Sequence, residues 1–425
     1  MRKISLIQQI REGGSDTLYI LRKELLSLKR DEAVLIFFVL IPLAYPLLYS
    51  WIYNNEVLRD VPVTVVDMDH SQMSREYIRN VDATPDVKVA FHSNSLEEAR
   101  QLIGKQEVRG IIFIPSGFER HVYRQEQGHV SVYCDMVLML AYKAIYQATL
   151  AVAADMSSTI QIARSTNVTD REDQLTVEPL HIHSEMMFNT TGGYGNAILP
   201  AVLMLILHQT LLLGVGMAAG TARENNRYED LVPISRHYNG ILRIVLGKSL
   251  CYILVYLVIG AYLGLVVPRI FGFTALNHPQ VFFPFLFAYV LATTFFAMAC
   301  SCLVHHRENV MLLVIFTSLP LLFLSGISWP ESNLPTVWKY VAYIFPSTMG
   351  VRGFLRISSM GGSLEDIAPE YQWMWIQTFV YFICTCIVYR YQIRYAHKRS
   401  IAHVDHIRKI AAEAKARKDT ATKED

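Results

Sequence analysis

Charge is in short supply in this chain: Asp, Glu, Lys and Arg make up 18% of its 425 residues, where ordinary soluble domains carry roughly 25%. Hydrophobic residues reach 52%, a balance that excludes an ordinary soluble enzyme. A net charge of +2 gives no handle for nucleic acid, so what matters is where the charges sit. Cysteine is scarce as well. Five of the six (Cys251, Cys300, Cys302, Cys384 and Cys386) fall in apolar runs, and Cys134 stands alone in a polar segment, which excludes an intrachain disulfide there. The two Cys-x-Cys pairs read as small buried apolar residues rather than soft-metal ligands.

A phosphate loop is missing despite a local imitation of one. Gly247-Lys248-Ser249 resembles its end, but six residues separate Gly240 from Gly247 where four are needed, and Leu242 stands at the required first-glycine position. Such a loop opens a soluble helix so that its backbone amides cradle phosphates. Here an uncharged run long enough to cross a bilayer follows at once, so Arg243 and Lys248 read as the cytosolic mouth of a membrane helix. No site for catalysis, cofactor or resident metal is expected in the chain.

Six apolar runs of spanning length are present, at 33–53, 196–219, 249–267, 281–303, 309–327 and 373–389. None contains Asp or Glu. An ion-driven carrier keeps such a group at depth to bind its coupling ion, so the absence argues for another energy source. Sparse polar residues remain as pathway candidates: His208, Gln209 and Thr210 in the second run, Thr317 and Ser318 in the fifth, and Ser325 near its end. Hydrogen bonding between helices is the competing role for His208 and Gln209.

Lys and Arg set the orientation. Residues 1–32 hold seven of them, the 221–248 connection five and the tail from Arg390 ten, whereas the short loops at 268–280 and 328–372 hold only Arg269, Lys339, Arg352 and Arg356. The positive-inside rule then puts both termini in the cytosol and the long polar segment between the first two runs outside. A full-length first span behind a charged N-terminus needs no cleavable signal. The expected organisation is a cytosolic N-terminus (1–32), a first transmembrane helix (33–53), an exoplasmic domain with a long helix (54–195), the five remaining spans (196–390) and a basic tail (391–425).

The polar segment alternates β-branched runs at 61–67, 87–91, 110–115 and 130–135 with helical stretches, Ser95 and Glu98 forming a capping box for one of them. That alternation predicts a small, largely parallel sheet with helices against it. The long stretch after Asp135 reads as a helical stalk, too polar on one face to be a seventh span. Asp67-Met68-Asp69 imitates a magnesium site, but nothing downstream supplies its lysine and further acids; turn and cap roles for Asp69 and Ser71 are expected. His181, His183 and Glu185 would share one face of a strand, a polar face rather than a zinc site. Sequons at Asn167 and Asn189 matter only where glycosylation operates.

Two further segments bear on function. Residues 15–32 set Leu18, Leu21, Leu25 and Leu28 along one face of a helix, with Arg22, Lys23, Lys29 and Arg30 largely elsewhere, a helix lying flat in the interface. The connection between the fifth and sixth runs carries aromatics and prolines but too few consecutive apolar residues to span. Broken helices dipping into the outer leaflet are expected, at the exit of a pathway.

The stretches "VPVTVVDMDHSQMS", "GIIFIPSGFER", "FNTTGGYGNAILPAVLM" and above all "LPLLFLSGISWPESNLPTVWKYVAYIFPST" (319–348), with a Gly-Lys pair at the third span, resemble the ABC-2 type exporter permeases, in the branch with a large exoplasmic domain. The likeness covers nearly the whole chain. It implies an α-helical membrane protein of six spans with an inserted α/β exoplasmic domain, an interfacial N-terminal helix and a re-entrant segment. It implies a bacterial inner-membrane subunit that exports a drug-like, lipid or other amphipathic substrate. Energy would come from cytosolic ABC ATPase subunits, with a second permease (homo- or heterodimer), membrane lipids, a periplasmic adaptor and an outer-membrane channel as further partners. Arg22, Arg223, Glu224, Tyr228, Glu229 and Asp230 are the implied ATPase-coupling residues; the Arg-Glu pair is present, while the acidic-Gly-Thr segment common after it is missing. The reading from another class is an exoplasmic receptor or assembly scaffold that transports nothing.

Overall fold

The computed structural model describes residues 6–54, 57–166, 168–183, 185, 187–189, 192–224, 240–301, 304 and 306–392. The chain divides into two compact units, one of residues 55–187 and one of residues 1–54 with 188–425.

The smaller unit is built on a sheet of four strands: β1 (Val61–Asp67), β2 (Val87–His92), β3 (Gly110–Ile114) and β4 (Ser131–Cys134), in the order β2-β1-β3-β4. β1 pairs in parallel with both β2 and β3, and β4 closes the other edge antiparallel to β3. β1 is central and Val-rich because both of its faces are covered. Val63 and Val65 meet Tyr77 and Val81 of helix Gln72–Asp82 and Ile145 of helix Met139–Arg164. On the opposite face Val66 and Ile111 meet Ala99 of helix Leu96–Gly104.

Helix Met139–Arg164 therefore does not stand free as a stalk. Ala141, Ala144, Ile145, Ala148, Thr149 and Val152 form its buried stripe against the sheet. The small alanines at this spacing bring the helix close to the strands, which the polar count on its other face concealed.

Among the described residues of the larger unit six helices are long and apolar enough to cross a membrane: Glu32–Ile52, Tyr194–Thr221, Ile241–Phe271, Pro279–Cys300, Arg307–Leu324 and Ala368–Gln392. They are called the first to sixth spans below. The second and fourth form the centre, with 83% and 72% of their most apolar windows buried in the chain, against 17% for the fifth. The helices overrun the apolar runs at their ends, so that Glu32, Glu308 and Glu370 fall inside them, each within their first turns. Helix formation continues beyond the hydrocarbon-length stretch as long as backbone bonds close, a boundary hydropathy does not mark.

Two spans carry internal five-residue π turns, Ile36–Leu40 before Pro42 and Tyr262–Val266 before Pro268. A proline withholds the amide that the carbonyl four residues earlier needs. For Gly264, the residue so deprived by Pro268, the Asn277 side-chain amide donates instead at 2.6 Å. Inside an apolar layer such repair is what makes the break tolerable.

Between the fifth and sixth spans lie two short helices, Thr336–Ala342 and Pro346–Met360. The second packs on the second span and, through glycines, on the fourth: a Cβ at Gly350 would lie 2.1 Å from the Tyr289 ring, and one at Gly353 2.6 Å from Phe285. Tyr343 and Ile344, in the gap between the two helices, have carbonyls that the sixth span satisfies. Trp373 Nε1 and Gln377 Nε2 donate to Tyr343 at 2.9 and 2.8 Å, and the Tyr381 hydroxyl donates to Ile344.

Candidate functional site

The N-terminal helix, Leu6–Arg30, lies along the third span. Its buried face is Asp16, Ile20, Glu24 and Leu28, while Leu18 and Leu25, expected on one stripe with Leu28, point away from the chain. The apolar stripe seen in the sequence is thus split between two surroundings, and the face turned to the protein contains two acids. Each acid has a cation on the third span. Arg243 Nη1 lies 2.6 Å from Asp16, and Lys248 Nζ lies 3.0 Å from Glu24. The Tyr252 hydroxyl donates to Glu24 as well.

Lys248 is consequently not at the mouth of its helix. The third span begins at Ile241, two turns earlier than the apolar run, and the Lys248 side chain is 9% exposed. Gly247 explains the Gly-Lys pair physically. A Cβ there would fall 2.7 Å from Ile20 and 3.0 Å from the Thr17 carbonyl, so glycine admits the N-terminal helix and lysine then neutralises its acid.

Of the coupling candidates, Arg22 is exposed on the N-terminal helix and lines a cavity with Arg30 and Arg307. Arg223 and Glu224 end the helix of the second span. Tyr228, Glu229 and Asp230 lie outside the described residues.

The pathway candidates fall in different places. His208 is fully buried beside the Phe296 ring, centroids 5.6 Å apart, and neither ring nitrogen has a hydrogen-bond partner among the described residues. Gln209 Nε2 is likewise unpartnered there. Thr210 donates to the Ile206 carbonyl at 2.7 Å, Thr317 to Leu313 at 2.8 Å, Ser318 to Ile315 at 2.8 Å and Ser325 to Leu322 at 2.6 Å. These hydroxyls are satisfied by their own helices, and Thr317 and Ser318 sit on the least covered span. Ser325 lines a separate cavity of about 190 Å³ with Arg352 and Arg356.

Arg352 and Arg356 were not anticipated as site residues. Arg352 Nη1 lies 2.8 Å from Glu331, and its other nitrogens reach the carbonyls of Ser325 and Leu324 at 3.4 and 3.5 Å. Arg356 pairs at 3.2 Å with Glu370, buried at the start of the sixth span. Together they fasten helix Pro346–Met360 to the segments on either side of it. Their signal in the sequence was two arginines in a connection otherwise poor in positive charge.

In the smaller unit both aspartates of the Asp-Met-Asp stretch are engaged. Asp67 Oδ1 accepts the amides of Asp69 and His70, each at 3.0 Å, and its Oδ2 accepts the Ser74 hydroxyl at 2.8 Å. Ser71 caps its own helix, as expected, but Asp69 caps a different one, accepting the amides of Gly117 and Glu119 at 2.6 and 3.1 Å at the start of helix Phe118–Tyr123. Burial acts to raise the Asp69 carboxyl, and hydrogen bonds from Ser71 and the amides of Glu119, Gly117 and Phe118 outweigh it, leaving it below its ordinary value. Residues 181–183 form no strand; His181 pairs with Glu178 at 2.9 Å and His183 with Glu185 at 3.1 Å, all exposed. No group of three His, Cys, Asp or Glu gathers among the described residues. Asn189 donates to the Gly193 carbonyl at 2.9 Å, and Asn167 lies outside the described residues.

A family model described as ABC-2 family transporter protein matches residues 33–387, from the first span into the sixth. Among curated proteins nothing matches.

Proposed function

Because the chain belongs to the ABC-2 transporter family, and is a multi-pass membrane permease rather than a catalyst, we propose that it is the membrane subunit of an ATP-driven exporter. Permeases of this family work with ABC ATPase subunits. In our reading those subunits sit in the cytosol, hydrolyse the ATP, and energise outward movement of a drug-like, lipid or other amphipathic substrate through a homo- or heterodimer of permeases. The protein resides in a bacterial inner membrane with both termini inside and residues 54–195 exoplasmic, within reach of a periplasmic adaptor and outer-membrane channel.

One observation carries this reading: the N-terminal helix is locked to the third span by Asp16–Arg243 at 2.6 Å and Glu24–Lys248 at 3.0 Å. A helix lying loosely on the membrane would roll when pushed. One fastened by a buried ion pair and a half-buried one passes displacement into the bundle, since removing a partner from a buried pair typically costs about 3–5 kcal/mol. ATP binding closes the ATPases, the N-terminal helix and the 221–236 connection move with them, and the permease interface opens outward. The partner drives this only by binding the two packings with different affinity. Buried His208 and the half-buried Gln209, whose ring nitrogens and Nε2 have no partner among the described residues, are the groups with hydrogen-bonding capacity to offer a substrate when the packing changes. Helices Thr336–Ala342 and Pro346–Met360 form the re-entrant exit, where non-helical backbone at depth is stabilised by donors from the sixth span.

The test is co-purification in mild detergent with mass spectrometry of associated chains, alongside charge reversal of Glu229 and Asp230. An ATPase should be retained, and the reversal should lower transport and permease-stimulated ATPase activity without lowering expression. Unchanged coupling removes the connection from the mechanism, and a preparation that binds exoplasmic protein but never an ATPase favours the scaffold.

A further inference from the structure

The larger unit contains a cavity of about 820 Å³, of whose lining only Arg22 is a coupling candidate. Its walls come from the N-terminal helix, the junction of that helix with the first span, the end of the second span at Ala218 and Thr221, and Arg307 at the start of the fifth. Arg22, Lys23, Arg30 and Arg307 line it, against two carboxylates, Asp31 and Glu32. Asp31 is already engaged, accepting the Val34 amide at 3.3 Å as the cap of the first span. The Thr221 hydroxyl, buried in the wall, has no hydrogen-bond partner among the described residues.

We infer that this cavity binds the phosphate headgroup of an anionic phospholipid, with Arg30, Arg307 and the Thr221 hydroxyl as its donors. A lining dominated by donors selects an anion, and arginine forks suit phosphate oxygens. A soluble phosphate shares that chemistry, but the rest of the wall argues for a lipid. Leu26, Ala33, Val34 and Ala218 give the cavity an apolar side. From its rim Leu35, Ile36 and Leu40 continue along the first span as exposed apolar side chains. Only 28% of that span's apolar window is covered by the chain. A headgroup at the basic end with an acyl chain along the first span satisfies both halves; a free anion satisfies one. Clusters of Lys and Arg beside a membrane helix are where anionic lipid is held.

The full-length protein, purified without any ATPase, would be examined by native mass spectrometry and thermal unfolding. The probes are phosphatidylglycerol, phosphatidylcholine of the same acyl chains, and inorganic phosphate. Phosphatidylglycerol should be retained preferentially and raise the melting temperature. Arg30→Gln should weaken its retention about fivefold, the equivalent of about 1 kcal/mol for one cation at a membrane surface. Thr221→Val should weaken it too, without altering net charge. Lys29→Gln, the same loss of charge one residue away and outside the cavity, should leave it unchanged. Equal loss in Arg30→Gln and Lys29→Gln would reduce the effect to diffuse attraction and overturn the site. Equal stabilisation by inorganic phosphate, or equal retention of phosphatidylcholine, would overturn the lipid.

Discussion

Glu24 and Lys248 illustrate how much one pair of residues governs here. Their side chains are 11% and 9% exposed and lie 3.0 Å apart. Glu24→Gln takes away the carboxylate 3.0 Å from a buried ammonium and should destabilise the protein by about 3 kcal/mol or more. Replacing both, Glu24→Leu with Lys248→Met, removes the ammonium together with the carboxylate and should recover most of the loss; melting in detergent distinguishes the two variants. Asp69 acts in the other unit with the opposite charge logic. Its carboxyl is held below its ordinary value of 3.8 by hydrogen bonds that outweigh burial. The stability it contributes is therefore present above that value and lost as pH falls through the lower folded one. Asp69→Ala should cost about 1 kcal/mol at neutral pH, as loss of other caps does. That difference should shrink as the protein is acidified through the folded pKa; a gap constant with pH would mean the charge is not what caps the helix.

At the scale of elements, close packing of helices rests on missing side chains. The N-terminal helix meets the third span at Gly247, where a Cβ would fall 2.7 Å from Ile20. Gly247→Val should push the helix off, lengthening Asp16–Arg243 and Glu24–Lys248 together. Hydrogen exchange of residues 6–30 should rise while the second span, buried at the centre, stays protected. The sequence signalled this helix, but the leucine stripe it showed is not the face turned to the protein. Leu18, Leu21, Leu25 and Leu28 formed a plausible stripe for a lipid surface, yet Asp16, Ile20, Glu24 and Leu28 face the protein. Hydropathy counts a buried acid against burial; only a cation on a helix more than 220 residues away makes Asp16 and Glu24 admissible there. The strands were legible because β-branched alternation depends on nearest neighbours alone. The stalk was not, since whether Ile145 and its alanines face a sheet depends on where the chain returns.

For the whole molecule the open quantity is orientation. Residues 55–187 form a unit of their own, which positive-inside counting assigns to the exoplasm. Val137, 90% exposed in that unit, offers a direct reading. A Val137→Cys variant should react with a membrane-impermeant maleimide in intact cells whose outer membrane has been made permeable. The native Cys134 should contribute little background, because burial raises its thiol above the ordinary value and keeps it protonated. Labelling only after lysis would place the unit inside and reverse the direction of export.

The sequence by itself determined that this chain carries six runs apolar and long enough to cross a membrane, places a small α/β unit after the first of them, and resembles a transporter permease. Those properties follow from local composition: a run of about 20 apolar residues has one favourable environment, and a strand pattern repeats every second residue. Only the tertiary structure decided which face of the N-terminal helix meets protein, why Gly247 precedes Lys248, which helix Asp69 caps and how Arg352 and Arg356 fasten the last connection. Each of these pairs charges or backbone groups far apart in sequence. A buried charge is stable only when its partner arrives with it, and a linear reading sees the charge without the partner.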